Sequence, residues 1–122
     1  MAAKELSVLI CDDSMLIRKK MRDLLEANDY QVLEAQNGLE GVEVYRQTKP
    51  AVVFMDIVMP QSDGLQALKQ IKQFDPQAKV IMLSSTGTAT KLVEALKSGA
   101  VDFIQKPYEK DHILTALAKA SQ

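Results

Sequence analysis

Five short apolar runs alternate along the chain with longer stretches whose apolar residues recur at helical spacing, and this alternation constrains the fold more than any other feature. The runs are Leu6 to Cys11, Gln31 to Ala35, Val52 to Met55, Val80 to Leu83 and Asp102 to Gln105. Strands separated by helices cannot be joined by tight hairpins, so such a chain builds strand-helix units around a parallel sheet, an α/β fold. The first, third and fourth runs are almost wholly apolar, as strands covered on both faces must be, and belong in the middle of the sheet.

The intervening stretches read as helices. Ile17, Met21, Leu24 and Leu25 fall at i, i+4, i+7 and i+8, which places one apolar stripe on a helix from about Met15 to Ala27 and leaves Arg18, Lys19, Arg22 and Asp23 facing water. Val42 and Tyr45 mark a second helix, in which Gly41 costs about 1 kcal/mol relative to alanine. A third, carrying Leu65, Leu68 and Ile71, stops before Asp75-Pro76, because proline restricts the residue preceding it. Leu92, Val93 and Leu96 give a fourth closed by Ser98-Gly99, and Ile113, Leu114 and Leu117 a fifth. At 122 residues the chain has room for one core, and residues 1–122 are expected to form one domain.

Charge narrows the function. Lys and Arg number 15 against 16 Asp and Glu, so the basic footprint of a nucleic-acid binder is missing and direct nucleic-acid contact is not expected. No apolar run approaches the ~20 residues that span a bilayer, and Met1 to Leu6 lacks the pattern of a signal peptide, so a cytoplasmic location without membrane insertion is expected. Cys11, the single cysteine, reads as core.

In parallel sheets of this kind, ligands bind outside the carboxyl ends of the strands. There the chain places Asp12-Asp13 after the first run, Asp56 after the third, Ser84-Ser85-Thr86 after the fourth and Lys106-Pro107 after the fifth. Converging carboxylates repel one another and lose solvation, so the cluster needs cations. Lys106 and a divalent metal would supply them, and a few carboxylates plus water suit Mg²⁺. The chemistry that fits is phosphoryl transfer to a carboxylate, with metal, ammonium and hydroxyl stabilising the transferred group. Each residue also has a plainer reading: Asp12 and Asp13 as helix caps, Ser84 as a strand-end hydroxyl, Lys106 as a solvated lysine.

Taken together, Val8-Leu9-Ile10-Cys11-Asp12-Asp13, Met55-Asp56-Ile57-Val58-Met59-Pro60 with Asp63-Gly64, Leu83-Ser84-Ser85, and Gly99-Ala100 with Asp102-Phe103-Ile104-Gln105-Lys106-Pro107 resemble the receiver domains of two-component response regulators over essentially the whole chain. The stand-alone chemotaxis type is the nearest in kind. The resemblance implies a flavodoxin-like five-stranded parallel sheet of order 2-1-3-4-5 with helices on both faces. It implies that Asp56 accepts a phosphoryl group from a sensor histidine kinase or a small donor such as acetyl phosphate. Asp13, Asp56 and the Val58 carbonyl would ligate Mg²⁺, with Asp12 acting through water. Lys106 would pair with the phosphoryl group, Ser84 would hydrogen-bond it, and the Lys106-Pro107 bond would be cis.

Phe103 takes the family's aromatic switch position. Its ring would follow Ser84 and change the surface of helix 4, strand 5 and helix 5, unless it simply fills the core. Val58 and Thr86 would set the lifetime of the phosphate. The implied output is binding to a downstream protein, with a phosphatase as a possible further partner, and the chain would catalyse its own phosphorylation and dephosphorylation without being a turnover enzyme. Alternatively, the chain is the receiver part of a longer regulator with a DNA-binding or enzymatic output domain. A haloacid dehalogenase-type hydrolase would want an aspartate where Val58 stands, and a flavin module a phosphate-cradling loop where Asp12 and Asp13 stand.

Overall fold

The structure is a computed structural model that describes residues 6–59, 63–85 and 87–121. Its elements run β1 (Ser7–Cys11), α1 (Met15–Ala27), β2 (Gln31–Ala35), α2 (Gly38–Thr48), β3 (Val52–Asp56), α3 (Gly64–Phe74), β4 (Val80–Ser84), α4 (Ala89–Lys97), β5 (Asp102–Gln105) and α5 (Lys110–Ala120). All pairings are parallel, in the order β2-β1-β3-β4-β5. The α/β class, the flavodoxin-like strand order and the helix positions are those expected.

Side chains alternate across each strand, so the sheet feeds two cores. Leu9, Cys11, Val53, Met55, Val80 and Met82 pack with Val42 and Tyr45 of α2, Leu65, Leu68 and Ile71 of α3 and Ala95 of α4. Val8, Ile10, Val52, Phe54, Ile81 and Leu83 pack with Met21 and Leu25 of α1 and with Ile113 and Leu117 of α5. β1, β3 and β4 are covered on both faces, as their apolar runs required.

Three details correct the sequence reading. β3 and β4 each extend one residue further than expected, to Asp56 and Ser84, because the ladder continues: Asp56 lies in register with Leu83, and the Lys106 amide donates to the Ser84 carbonyl at 2.7 Å. Gly41 is no mere weakness of α2, since a Cβ there would lie 2.6 Å from the buried Cys11 Sγ, so the helix sits this close to β1 only with glycine. Arg18 and Arg22 do not simply face water; both guanidinium groups grip Glu34 of β2. Cys11 is fully buried as expected, and burial pushes its thiol far above its ordinary range.

Candidate functional site

After β2 the chain crosses back over β1 to start β3, and the crevice at this reversal opens between the carboxyl ends of β1 and β3. The ladder delivers the site residues there. The Asp12 amide still bonds the Ala35 carbonyl (3.1 Å), so Asp12 leaves β1 in fixed register, and Asp56 and Ser84 are the last residues of their strands. Lys106 follows β5 immediately, and its bond to Pro107 is cis, as the resemblance implied.

Carboxylate oxygens of Asp12, Asp13 and Asp56 lie within 4.8 Å of one another. Asp12 and Asp56 are buried, at 1% and 5% exposure, while Asp13 is open to solvent. Lys106 Nζ stands 3.0 Å from Asp12 Oδ2 and 3.3 Å from Asp56 Oδ2. The Val58 amide donates to the other Asp56 oxygen at 3.4 Å, and the Val58 side chain points outward. Burial, seconded by the charge of Asp12, raises the Asp56 carboxyl to about 6 against the pull of Lys106. Burial works against the Lys106 ammonium too, but its bonds to Asp12 and Asp56 outweigh that and hold it charged. Three carboxylates against one ammonium leave two negative charges uncompensated in a poorly solvated crevice. A divalent, oxygen-seeking cation fits that donor set and that charge, which is the pattern of Mg²⁺.

The capping reading of the acidic pair fails. α1 is capped by Ser14, whose Oγ accepts from the Ile17 amide at 3.2 Å, while Asp12 Oδ1 accepts from the Ser14 amide and Asp13 is left for the crevice. Lys106 is likewise not a solvated lysine. Phe103 is not core filling either, because the residue is 43% exposed and lines a surface hollow beside α5 with His112, Thr115 and Ala116. Ser84 is buried at the carboxyl end of β4, the strand paired with β3. Thr86 lies outside the described residues.

Sequence reasoning passed over three residues. Gly64 opens α3 directly against the end of β3: a Cβ there would overlap the Asp56 carbonyl, and the Gly64 amide bonds the Ile57 carbonyl at 2.7 Å. The Asp63-Gly64 pair was the available signal, with Asp63 capping α3. Arg18 donates from Nη1 to the Asp12 carbonyl at 2.7 Å, a contact that helical periodicity cannot reveal. Tyr108 carries the one buried polar side-chain atom without a hydrogen-bond partner among the described residues. Burial, then Asp12 and Asp56, push its hydroxyl up to about 12.

Among the described residues, no helix is long and apolar enough to cross a membrane. The family described as "Response regulator receiver domain" matches residues 8–118. The chemotaxis protein CheY of Listeria monocytogenes is 48% identical over 118 residues, covering 96% of this chain and 99% of that one. A response regulator receiver domain protein from Clostridium thermocellum superposes with a TM-score of 0.92 at 29% identity, covering 95% and 94% of the two chains. A Borrelia burgdorferi CheX-CheY-BeF3-Mg complex gives 0.87 at 32% identity, covering 93% and 87%. A parallel sheet in this order, an acidic crevice at its reversal point and a match over nearly all of the sequence make this chain a member of the response regulator receiver domain family, of the chemotaxis CheY type.

Proposed function

We propose that residues 1–122 form a single receiver domain that works as a phosphorylation-dependent switch. Asp56 accepts a phosphoryl group from a sensor histidine kinase. The observation that carries this reading is a buried carboxylate at the reversal point of the sheet, 3.3 Å from an ammonium and within 4.8 Å of two further carboxylates. Lys106 keeps Asp56 ionised near neutral pH despite its burial. The anionic oxygen attacks phosphorus, an O–P bond forms, and the donor's P–N bond breaks with its electron pair returning to the imidazole nitrogen. Asp12, Asp13, Asp56 and the Val58 carbonyl would hold Mg²⁺, with Asp12 shared with Lys106; when bound, the ion draws charge from the phosphoryl oxygens. The complex of the Borrelia CheY with BeF3 and Mg is consistent with such a site.

Ser84 and Lys106 then hold the new phosphate, and the space released behind Ser84 admits the Phe103 ring. Lacking a hydroxyl, Phe103 acts by packing alone, and its removal from the surface reshapes the face of α4, β5 and α5 for a downstream protein. A phosphatase is a further expected partner, and the chain acts in the cytoplasm as a signalling protein rather than a turnover enzyme. The exposed, apolar Val58 cannot orient a hydrolytic water, so Val58→Asn is expected to lose phosphate faster than the parent, followed with radiolabelled phosphate; equal or slower loss removes Val58 from this role.

Mass spectrometry after incubation with Mg²⁺ and acetyl phosphate tests the whole. One added phosphoryl group, absent in Asp56→Asn, is the expected result. No addition with any phosphodonor would make the protein an unphosphorylated scaffold.

A further inference from the structure

Asp13 is the one member of the acidic cluster that nothing holds by its side chain: among the described residues its carboxylate makes no hydrogen bond and no ion pair, and it is exposed. The direction in which its Cα–Cβ bond leaves the chain, and so the set of positions its carboxylate can reach, is therefore set by the backbone. The peptide joining Asp12 to Asp13 is a rigid plane, and fixing its oxygen fixes the direction in which Asp13 departs from β1. That oxygen is fixed by Arg18, whose Nη1 donates to it at 2.7 Å.

Arg18 is itself held. Its Nε donates to Glu34 Oε1 at 2.8 Å, and the second Glu34 oxygen is taken by Arg22 Nε at 2.6 Å. The Arg18 side chain is only 12% exposed. A guanidinium presents its donors as a rigid planar fork and can serve both acceptors at once, which the single ammonium of lysine does poorly.

We propose that Arg18 is a positioning residue for the metal-binding carboxylates: by pinning the Asp12 carbonyl it presets Asp13 for the cation before the cation arrives. This rests on the reading of the crevice as a Mg²⁺ site. Charge alone predicts the opposite of positioning. Removing a cation from beside the crevice would tighten divalent binding by relieving repulsion, whereas losing the pinned peptide weakens it.

Calorimetric titration of the unphosphorylated full chain with Mg²⁺ separates the two, with the melting temperature of each metal-free variant recorded alongside. Arg18→Met is expected to bind Mg²⁺ at least about tenfold more weakly, the usual scale for losing a group that orients a ligand. Arg18→Lys should fall between it and the parent. Glu34→Gln weakens the same bridge between α1 and β2, leaving one acceptor oxygen for two arginines, but leaves the bond to Asp12, so it should stay within about twofold of the parent even where its melting temperature drops. Unchanged or tighter binding by Arg18→Met overturns the proposal, and so does a loss in Glu34→Gln as large as in Arg18→Met, because the docking of α1 would then be the cause. Should Arg18→Met fail to fold, Arg18→Lys decides: parental affinity overturns the proposal and a severalfold loss upholds it. A parent that binds no Mg²⁺ overturns the metal reading itself, and this inference with it.

Discussion

The α1–β2 flank of the sheet and its α4–β5 flank are held by unlike means. α1 buries Met21 and Leu25 and is capped by the Ser14 hydroxyl, and its arginines reach across to a partly shielded Glu34. α4 buries Ala95 alone and lacks a side-chain cap. Two exposed pairs tie it to the α3 side, Lys69 to Glu94 at 2.7 Å and Lys91 to Asp63 at 3.0 Å. Its own Val93 and Leu96 are half-exposed, as are Val101 and Phe103 after it, and β5 buries only Ile104. Ion pairs this exposed contribute little, so α4 and β5 belong to the least stable part of the molecule. The flank bearing Asp12 and Asp13 is therefore the more firmly held, and the flank bearing Phe103 the less.

The sharpest way to break this comparison is to truncate one large aromatic in each region. Phe54 is fully buried in β3, and Phe54→Ala should cost about 3–5 kcal/mol in urea unfolding. Phe103→Ala should cost less than about 1 kcal/mol, as an exposed side chain does. Comparable losses would mean that Phe103 is structural and the α4–β5 flank is not loosely held.

A smaller effect belongs to the crevice. The folded Asp56 carboxyl titrates at about 6 against an ordinary 3.8, so between these values the folded state binds more protons than the unfolded chain. The Asp56 contribution to stability must therefore fall as pH rises from about 4 to about 6, and its penalty is fully present above that window. In EDTA, Asp56→Asn should flatten this slope and gain roughly 1–3 kcal/mol at pH 7. Added Mg²⁺ should stabilise the parent more than the variant at that pH. A parent and an Asp56→Asn variant with the same pH dependence across the window would show that Lys106 compensates the Asp56 charge completely.

The smallest effect is local. Replacing Lys69 and Lys91 by alanine should cost under about 1 kcal/mol globally. Amide exchange in α4 should quicken by roughly fivefold at most, with α1 unchanged. If exchange quickens equally in both helices, the two flanks open together and the distinction between them fails.

Periodicity located every helix and strand because burial on one or two faces writes itself into the spacing of apolar residues. Asp56, Asp12, Asp13 and Lys106 were legible for a related reason: charged groups at the ends of apolar strands are costly unless they act together. Arg18 was misread by the same logic. Helical spacing says which face of α1 meets the sheet, but not that a long side chain on its margin bends back to a carbonyl six residues away. Gly41 looked like a defect because propensity is local, whereas the Cys11 Sγ that demands a glycine comes from another strand.

The sequence by itself determined the α/β architecture, the two-sided burial of β1, β3 and β4, and which polar residues gather at one edge. These follow from patterns within single segments. Only the tertiary structure decided that Asp12 and Asp56 share one ammonium, that Phe103 lies outside the core, and that the Asp12 carbonyl is held by an arginine on the following helix. Such contacts join segments far apart in the chain, where distance is set by the packing of whole elements and spacing along one of them carries no record of it.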